Sequence, residues 1–326
     1  MIQGVTKNRV VGVDIGAQTT NYAIVDVRGN IIAQGEFPTQ DHPDISEFTS
    51  YLSERLMMLM EENGGYDSIH SVGISVSSGN FCTGHIENSP NLPWKGRVPL
   101  AAFMRDRLGL AVAVGNNAHA RSLGEHTYGI AHGINDFVVI TMGTGLGSCL
   151  FSNNHPHLGN NGFAGEIGHV CVKPNGRQCG CGSKGCLETY CSERGVLCTA
   201  RMFMDKSDAP SLMRGCENLT SQQIIDFCEQ GDQMAIKVFQ VTGEVLGVAL
   251  ANYASVINPE AFIFTGSLSR AGKWLIDPAR KAFEANVFYY TNSPVSFLVS
   301  SLSDDERNLL GASALAWEVQ EYSLFK

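Results

Sequence analysis

The sequence is short of basic residues and of long apolar runs. Lysine and arginine total 23 against 32 aspartate and glutamate residues, which gives a formal net charge of −9. Nucleic acid and anionic membranes repel a negative chain, so neither is expected as its main partner. No uninterrupted apolar stretch reaches about 18 residues, the length that a membrane-spanning helix needs. We therefore predict no membrane span.

The first residues, Met1 to Val11, also lack the apolar core of a secretory signal peptide. Ten cysteines are present, but the chain is long for a disulfide-stapled domain and its cysteines are unevenly spaced. We expect a cytoplasmic protein with reduced thiols. Three of the cysteines, Cys179, Cys181 and Cys186, crowd into one short segment that needs its own explanation.

The composition is that of a compact globular protein, with 44% hydrophobic and 17% charged residues among 326. At roughly 100–200 residues per domain, this length predicts two domains. We place an N-terminal domain at residues 1–118 and a C-terminal domain at residues 119–307. The segment Asn308 to Tyr322 has a helical composition, and we expect residues 308–326 to pack back on the first domain.

Short turns join the first three predicted strands, which must therefore be antiparallel, because a parallel pair needs a crossover of a dozen or more residues. These β-branched, apolar runs are Arg9–Ile15, Asn21–Val27 and Ile31–Phe37. A helix with Asp44 as its N-cap should follow through about Glu62, and a strand at Ser71–Val76 completes the order βββαβ. A second, similar cycle opens with the strand Asp136–Met142, so the fold class is α/β with two similar halves.

A glycine turn follows the first strand, and we assign it to a nucleotide. Its residues are Asp14, Gly16, Thr19 and Thr20. Gly16 permits close backbone approach to a phosphate, and an exposed Asp14 can orient a hydrated magnesium ion. Taken alone, an ordinary hairpin with a capping aspartate explains this turn equally well.

Two further glycine turns follow strands in the second half. Gly143, Thr144 and Gly145 lie in a Gly-rich segment whose amides can converge on phosphate. This segment lacks the Gly-Lys-Ser/Thr of a Walker loop, and a strand follows it instead of the helix of a Rossmann fingerprint. Gly266 and Ser267 form the third turn, which suits the adenosine. Each could be a simple tight turn, but three of them at strand ends favour ATP.

One histidine and three cysteines form a predicted metal site. His169, Cys179, Cys181 and Cys186 supply an imidazole and three thiolates, the soft ligand set of a closed, tetrahedral zinc site. Four protein ligands leave no open position, so the zinc would be structural and not catalytic. Free buried cysteines are the alternative.

The segment from Gly165 to His169, together with the cysteine cluster from Cys179 to Glu188, resembles the signature of the ROK family of sugar kinases and repressors, which includes bacterial glucokinases. The resemblance extends over nearly the whole chain. Further matching segments are Ser89–Trp94, Leu123–Glu125, Gly143–Gly145 and Gly311–Ala314. It implies an actin-like, hexokinase-like fold of two ribonuclease-H-type domains around a cleft, in agreement with the βββαβ order.

The resemblance also implies a substrate and an assembly. By position, Glu166, His169 and Glu188 match family residues that bind sugar hydroxyls, while Asn116 and Asn117 match the pair that reaches the reacting hydroxyl. His169 would serve zinc with one ring nitrogen and sugar with the other. ATP-dependent phosphorylation of a hexose in a homodimer is the implied function.

Asn117 departs from the family pattern, in which this position is the aspartate that takes the proton of the sugar hydroxyl. An amide can accept a hydrogen bond from that hydroxyl but cannot take its proton. The residue is either natural or introduced to trap a substrate complex. A catalytically weak, sugar-binding sensor is therefore the alternative to the kinase. A repressor is disfavoured, because no helix-turn-helix segment precedes Asp14.

Overall fold

The computed structural model of the protein describes residues 7–89, 91–288 and 294–319. Parts of three predicted segments fall outside these residues: the extreme N-terminus, Pro90 of the Ser89–Trp94 motif, and the end of the C-terminal helix at Tyr322. The described chain divides into two compact units. Unit 1 takes Met1–His132, Leu158–Phe163 and Ser301–Lys326, and unit 2 takes Gly133–His157 and Ala164–Ser300.

Unit 1 contains a five-stranded sheet in the order β3-β2-β1-β4-β8, in which the first three strands are antiparallel as predicted. β4 pairs in parallel with β1 and with β8. A small second sheet is formed by β5, β6 and β7. The strands are β1 Arg9–Ile15, β2 Thr19–Asp26, β3 Ile31–Pro38, β4 Ile69–Val76, β5 Gly79–Asn80, β6 His85–Glu87, β7 Arg97–Val98 and β8 Ala111–Gly115.

Four α-helices belong to the described part of unit 1: α1 Ile45–Glu62, α2 Leu100–Leu108, α3 Asn117–Thr127 and, at the C-terminal end, α9 Asp304–Trp317. α1 begins as predicted at Asp44, whose carboxylate accepts hydrogen bonds from two backbone amides of the first turn. Phe48, Leu52 and Leu56 form its buried face. On the sheet's other side, Leu309 and Leu310 of α9 pack in a cluster with residues of β1 and β2.

Unit 2 repeats the same layout, with a sheet in the order β11-β10-β9-β12-β13. β9, β10 and β11 are antiparallel, and β12 pairs in parallel with β9 and β13. Its strands are β9 Phe137–Met142, β10 Leu146–Ser152, β11 His155–Pro156, β12 Ala261–Thr265 and β13 Ser296–Val299. Its helices are α4 Glu188–Cys191, α5 Glu193–Lys206, α6 Ser221–Glu229, α7 Gln233–Ile257 and α8 Lys273–Asn286.

The first change of unit falls after His132, later than the predicted boundary at residue 118. Residue 118 lies inside α3, which is attached to α9 and so stays with unit 1. The Arg121 side chain donates a hydrogen bond to Asn308 Oδ1 at 2.9 Å. Gly124 also lies against the backbone of Gly311, where an added Cβ would come within 3.1 Å. Both partners are far away in the sequence, which is why local composition placed the boundary too early.

Helix α7 has the length and hydropathy to cross a membrane by those two criteria alone. Within its most apolar 18-residue window, 61% is buried inside the protein. Val238, Phe239, Leu246 and Leu250 are fully buried in the core of unit 2. Its apolar composition is accounted for by its place in that core.

Candidate functional site

In unit 1 the Asp14 carboxyl group is buried and not exposed as predicted. It is only 7% exposed, at the end of β1. Burial raises its pKa, while the charge of Arg121 and hydrogen bonds from Ser75 and Asn308 oppose that rise. The prediction was wrong because Arg121 and Asn308, on α3 and α9, cannot be placed beside Asp14 from local sequence.

Ser75 connects Asp14 to the predicted general-base position. Ser75 of β4 lies opposite Asp14 of β1 in the parallel register of these two strands. The single proton of the Ser75 hydroxyl can be donated either to Asp14 or to Asn117 Oδ1, which lies 3.1 Å away at the first turn of α3. Asn116 is the N-cap of the same helix, and its Oδ1 accepts from the His119 amide at 2.7 Å. Among the described residues no partner is seen for the Asn116 amide NH2 group, which has two donors for a ligand.

His119 lies two residues beyond Asn117 but does not replace the missing carboxylate. Its ring is buried and edge-on to Phe81, with ring centroids 5.2 Å apart. Burial lowers the pKa of His119 to about 4. Such an imidazole is neutral at pH 7 and a weak proton acceptor, so it is a poor general base.

The two threonines of the first glycine turn are placed differently. Gly16 closes the turn by donating its amide to the Thr19 carbonyl at 3.0 Å. The Thr20 hydroxyl is fully buried and shares a hydrogen bond with Thr39 at 2.8 Å. The Gly16 amide is therefore already paired within the turn. Thr19 remains a candidate phosphate ligand, whereas the Thr20 hydroxyl faces the interior.

In unit 2 the two predicted ATP turns lie side by side. β9 ends at Met142 and β12 ends at Thr265, and the parallel pairing brings the following glycines to the same sheet edge. A buried hydrogen bond at 3.0 Å joins the hydroxyls of Thr265 and Thr141. Gly266 has φ +88°, and a Cβ there would lie 2.5 Å from the Met142 carbonyl oxygen. Only glycine allows this approach of the two strand ends.

The four predicted metal ligands converge. The ligand atoms of His169, Cys179, Cys181 and Cys186 all lie within 4.8 Å of one another. Cys181 Sγ is 3.7 Å from Cys186 Sγ, and Cys179 Sγ is 3.7 Å from His169 Nδ1. A tetrahedral zinc with bonds of about 2.0–2.3 Å separates its ligands by roughly 3.3–3.8 Å, so this donor set fits the ion.

Three of the predicted sugar residues, Glu166, His169 and Glu188, belong to that cluster or lie beside it. His169 turns Nδ1 toward the thiols, which leaves Nε2 for a second partner. Glu188 Oε1 is 3.8 Å from Cys179 Sγ, and Oε2 accepts from the Leu146 amide at 3.0 Å. Loss of hydration raises the pKa of Glu166, and the negative charge of Glu188 adds to the rise while His169 opposes it. The charges of His169 and Glu188 thus both act on the Glu166 carboxyl group, although its burial is the main cause of the raised pKa.

Arg177 holds in place the loop that carries the predicted cysteine ligands, Cys179–Cys186, which we call the metal loop. This role of Arg177 was not identified from the sequence. Its guanidinium donates to the carbonyls of Thr189 and Gly195 at 2.8 and 2.9 Å, and to Thr199 Oγ1 at 2.9 Å. It also lies over the Tyr190 ring, 4.6 Å from the centroid. These contacts fasten the loop to α4 and α5, and no motif marks a single arginine for such a role.

The sheet order of both units and the grouped site residues define an actin-like, hexokinase-like α/β protein. The ROK family model matches residues 10–319, and the chain belongs to the ROK family. It is 31% identical to the glucokinase of Halalkalibacterium halodurans over 90% of this chain and 91% of that protein.

Two other similarities bear on function. A ROK family glucokinase from Streptomyces griseus, solved in complex with glucose and AMPPNP, is 30% identical with a TM-score of 0.76, covering 95% of this chain and 100% of that one. The xylose repressor of Bacillus spizizenii is 27% identical over 94% of this chain and 77% of the repressor. The family therefore includes relatives that are named as enzymes and relatives that are named as regulators.

Proposed function

We propose that this protein transfers the γ-phosphoryl group of ATP to a hydroxyl of a hexose, most closely as a glucokinase does. The observation that carries the proposal is the position of Glu188. One of its oxygens binds the Leu146 amide beside the Gly143–Gly145 turn, and the other lies against the metal cluster. Phosphoryl transfer to a sugar needs hydroxyl-binding and phosphate-binding groups close together. One hydrogen bond joins the residue assigned to the sugar with the segment assigned to phosphate, which supports the proposal.

In this proposal Glu166, His169 and Glu188 bind sugar hydroxyls. Carboxylates accept hydrogen bonds from hydroxyls, and His169 Nε2 can pair with one more. The donor set of His169, Cys179, Cys181 and Cys186 holds a structural zinc ion, which when bound fixes the loop that presents Glu188. The negative charge of ATP, the proposed co-substrate, is met by Thr19 of the first turn, by amides of the Gly143–Gly145 turn and by magnesium near Asp14.

Asn116 and Asn117 orient the attacking hydroxyl. The Asn117 amide oxygen can accept the hydroxyl hydrogen bond in place of the Ser75 hydroxyl but does not remove the proton. General-base catalysis contributes roughly 10²–10⁴-fold, so we expect slow turnover with sugar binding intact. Positioning and charge stabilisation, which the glycine turns supply, account for the remaining rate.

The test is a panel of hexoses with ATP in a coupled assay for ADP, run beside a thermal-shift panel of the same sugars. Glucose or a close relative should raise the melting temperature, and Glu166→Ala or Glu188→Ala should abolish the shift. Glu260→Gln is a matched control, because this carboxylate caps the opposite sheet edge through the amides of Asn135 and Asp136. Undiminished sugar binding in both alanine variants would overturn the site assignment.

A sugar-binding sensor is the second candidate, favoured by Asn117 and by the similarity to the xylose repressor. It predicts a sugar-dependent thermal shift with no phosphorylated product, even when Asn117 is changed to Asp. Detectable phosphorylation by the unmodified chain would exclude a purely sensory role.

We also propose a cytoplasmic homodimer, as the family resemblance implies. Sedimentation velocity at micromolar concentration should show a single species of twice the 35.2 kDa chain mass. A monomer under these conditions would contradict the proposed assembly.

A further inference from the structure

Glu193 joins the two predicted ATP turns of unit 2. Its backbone amide donates to the Gly143 carbonyl at 2.8 Å, at the start of the phosphate turn. Its Oε1 accepts from the Ser267 hydroxyl at 2.5 Å, in the adenosine turn. The residue is the first of α5, after the N-cap Ser192. One side chain and its own backbone therefore fasten both turns.

The second carboxylate oxygen, Oε2, has no hydrogen-bond partner among the residues that the structure describes. Glu193 as a whole is partly exposed, so a ligand can approach the residue. Because like charges repel, a phosphate group is not a favourable partner for this oxygen. Its favourable partner is a hydroxyl, which donates a strong, charge-assisted hydrogen bond to a carboxylate.

The covalent order of a nucleotide supplies that hydroxyl at this point. In ATP the ribose lies between the base and the phosphates, and Glu193 lies between the turn assigned to adenosine and the turn assigned to phosphate. Recognition of a ribose hydroxyl by an acidic side chain is a general solution in nucleotide sites, because the diol offers two donors.

We propose that Glu193 binds the ribose diol of the nucleotide and makes this protein selective for ribonucleotides over deoxyribonucleotides. This inference rests on the proposed use of ATP, and it adds a specificity residue to that site. Removing the diol donor leaves this carboxylate oxygen without its partner in the complex, and a hydrogen bond to a charged group is worth about 1.5–3 kcal/mol, or roughly 10- to 100-fold in affinity.

The experiment is calorimetric titration of the full chain with magnesium complexes of ADP, 2′-deoxyADP and 3′-deoxyADP. The unmodified protein should bind ADP roughly tenfold or more tightly than at least one deoxy analogue. Glu193→Ala should bring that ratio close to one, mainly by weakening ADP. Glu193→Gln keeps an oxygen for Ser267 and should fold even where the alanine variant does not, with a ratio reduced to a few-fold.

Two controls distinguish binding of the ribose by Glu193 from its structural role in joining the two turns. Ser267→Ala removes the brace but keeps the carboxylate, so the ratio should persist even if all three ligands bind more weakly. Glu260→Gln should leave all three affinities unchanged. Equal weakening of ADP and both deoxy analogues by the Glu193 variants, or an unchanged ratio, would overturn the inference.

The same data distinguish this inference from the kinase proposal. Selective ADP binding without phosphorylation of any sugar would contradict the kinase proposal and support the ribose contact. Phosphorylation of a hexose that proceeds equally well with ATP and with both deoxyATP analogues would support the kinase proposal and contradict the ribose contact.

Discussion

The two units have the same strand order but hold their first glycine turns in different ways. In unit 1 the charge belongs to the strand itself: Asp14 is buried at the end of β1, with Arg121 and Ser75 as partners. In unit 2 the strand end is uncharged, and groups on α4 and α5 bind it. The Glu188 carboxylate, on α4, accepts from the Leu146 amide. Glu193, on α5, binds the Gly143 carbonyl through its backbone amide and the Ser267 hydroxyl through its carboxylate.

The first glycine turn of unit 1 is therefore fixed by a residue of its own strand, whereas that of unit 2 is fixed by residues that follow the cysteine cluster in sequence. Glu188 follows the last metal ligand, Cys186, by two residues, so the metal loop and the phosphate turn share a support. Events at the cysteine cluster should therefore reach the nucleotide turn of unit 2 and leave the corresponding turn of unit 1 unchanged.

Loss of zinc should have the largest effect. One zinc ion per chain is expected, and structural zinc sites contribute apparent binding energies of about 10–16 kcal/mol in small peptides. Stripping it with a chelator, or changing Cys181 to Ser, should release Glu188 and expose the Leu146 amide to hydrogen exchange. The amide of Val13 in β1 should keep its protection. Protein purified without chelators yet free of zinc would refute the metal assignment, and unchanged exchange at Leu146 would refute the coupling.

The second prediction concerns unit 1. Asn117→Asp should raise the turnover number for hexose phosphorylation by roughly 10²–10⁴-fold, because the carboxylate restores a proton acceptor. Sugar affinity should change little, since the substitution is nearly isosteric and the gain lies in the transition state. An Asp variant no faster than a parent that already turns over at ordinary kinase rates would show that another group is the base.

The sequence predicted most of the fold for a local reason. Strands, short turns and caps depend on neighbouring residues, so the antiparallel meander, the Asp44 cap and the repeat of the layout were all correct. The convergence of the four predicted metal ligands was also predictable, because three of them lie close together in the chain and their residue types share one common use.

What the sequence could not provide were contacts between distant segments. Asp14 was predicted to be exposed because its partners Arg121 and Asn308 follow it by more than a hundred residues. Thr20 was assigned to phosphate although its hydroxyl turns inward to Thr39. Arg177 and Glu193 carry no motif, so only the fold reveals what they join.

A third prediction, with a smaller expected effect, tests how Glu188 supports the Gly143–Gly145 turn and leaves the predicted metal ligands unchanged. A Cβ at Gly145 would lie 2.8 Å from Glu188 Oε2, so Gly145→Ala should displace that carboxylate. We expect a loss of about 1–3 kcal/mol in transition-state stabilisation, measured as kcat/KM. Gly180→Ala, between two cysteine ligands but with no atom within 4 Å of its added Cβ, is the matched control. Equal losses in both variants would mean that general disturbance of the loop is responsible.

The smallest effect concerns the buried charge of unit 1. Burial raises the pKa of Asp14 above 3.8, so the folded state favours the protonated form. Stability from this group is present below that value and is lost as the pH rises through the folded-state pKa. Asp14→Asn removes the buried charge and should raise the free energy of unfolding at pH 7 by about 1 kcal/mol or less. The gain over the parent should shrink as the pH falls toward 4.

Asp26 in the same unit provides a control of opposite sign. Its slight burial acts to raise its pKa, but hydrogen bonds from Asn30 and Arg28 outweigh this and lower the pKa below 3.8. Its stabilising contribution is present above that value and is lost as the pH falls through the lowered pKa, so Asp26→Asn should destabilise unit 1 at pH 7. Hydrogen-exchange rates of the β1 amides measure the stability of unit 1 in both variants. Destabilisation by both substitutions at pH 7 would show that Arg121 outweighs the cost of burying Asp14, and that the first glycine turn is stabilised by its charge.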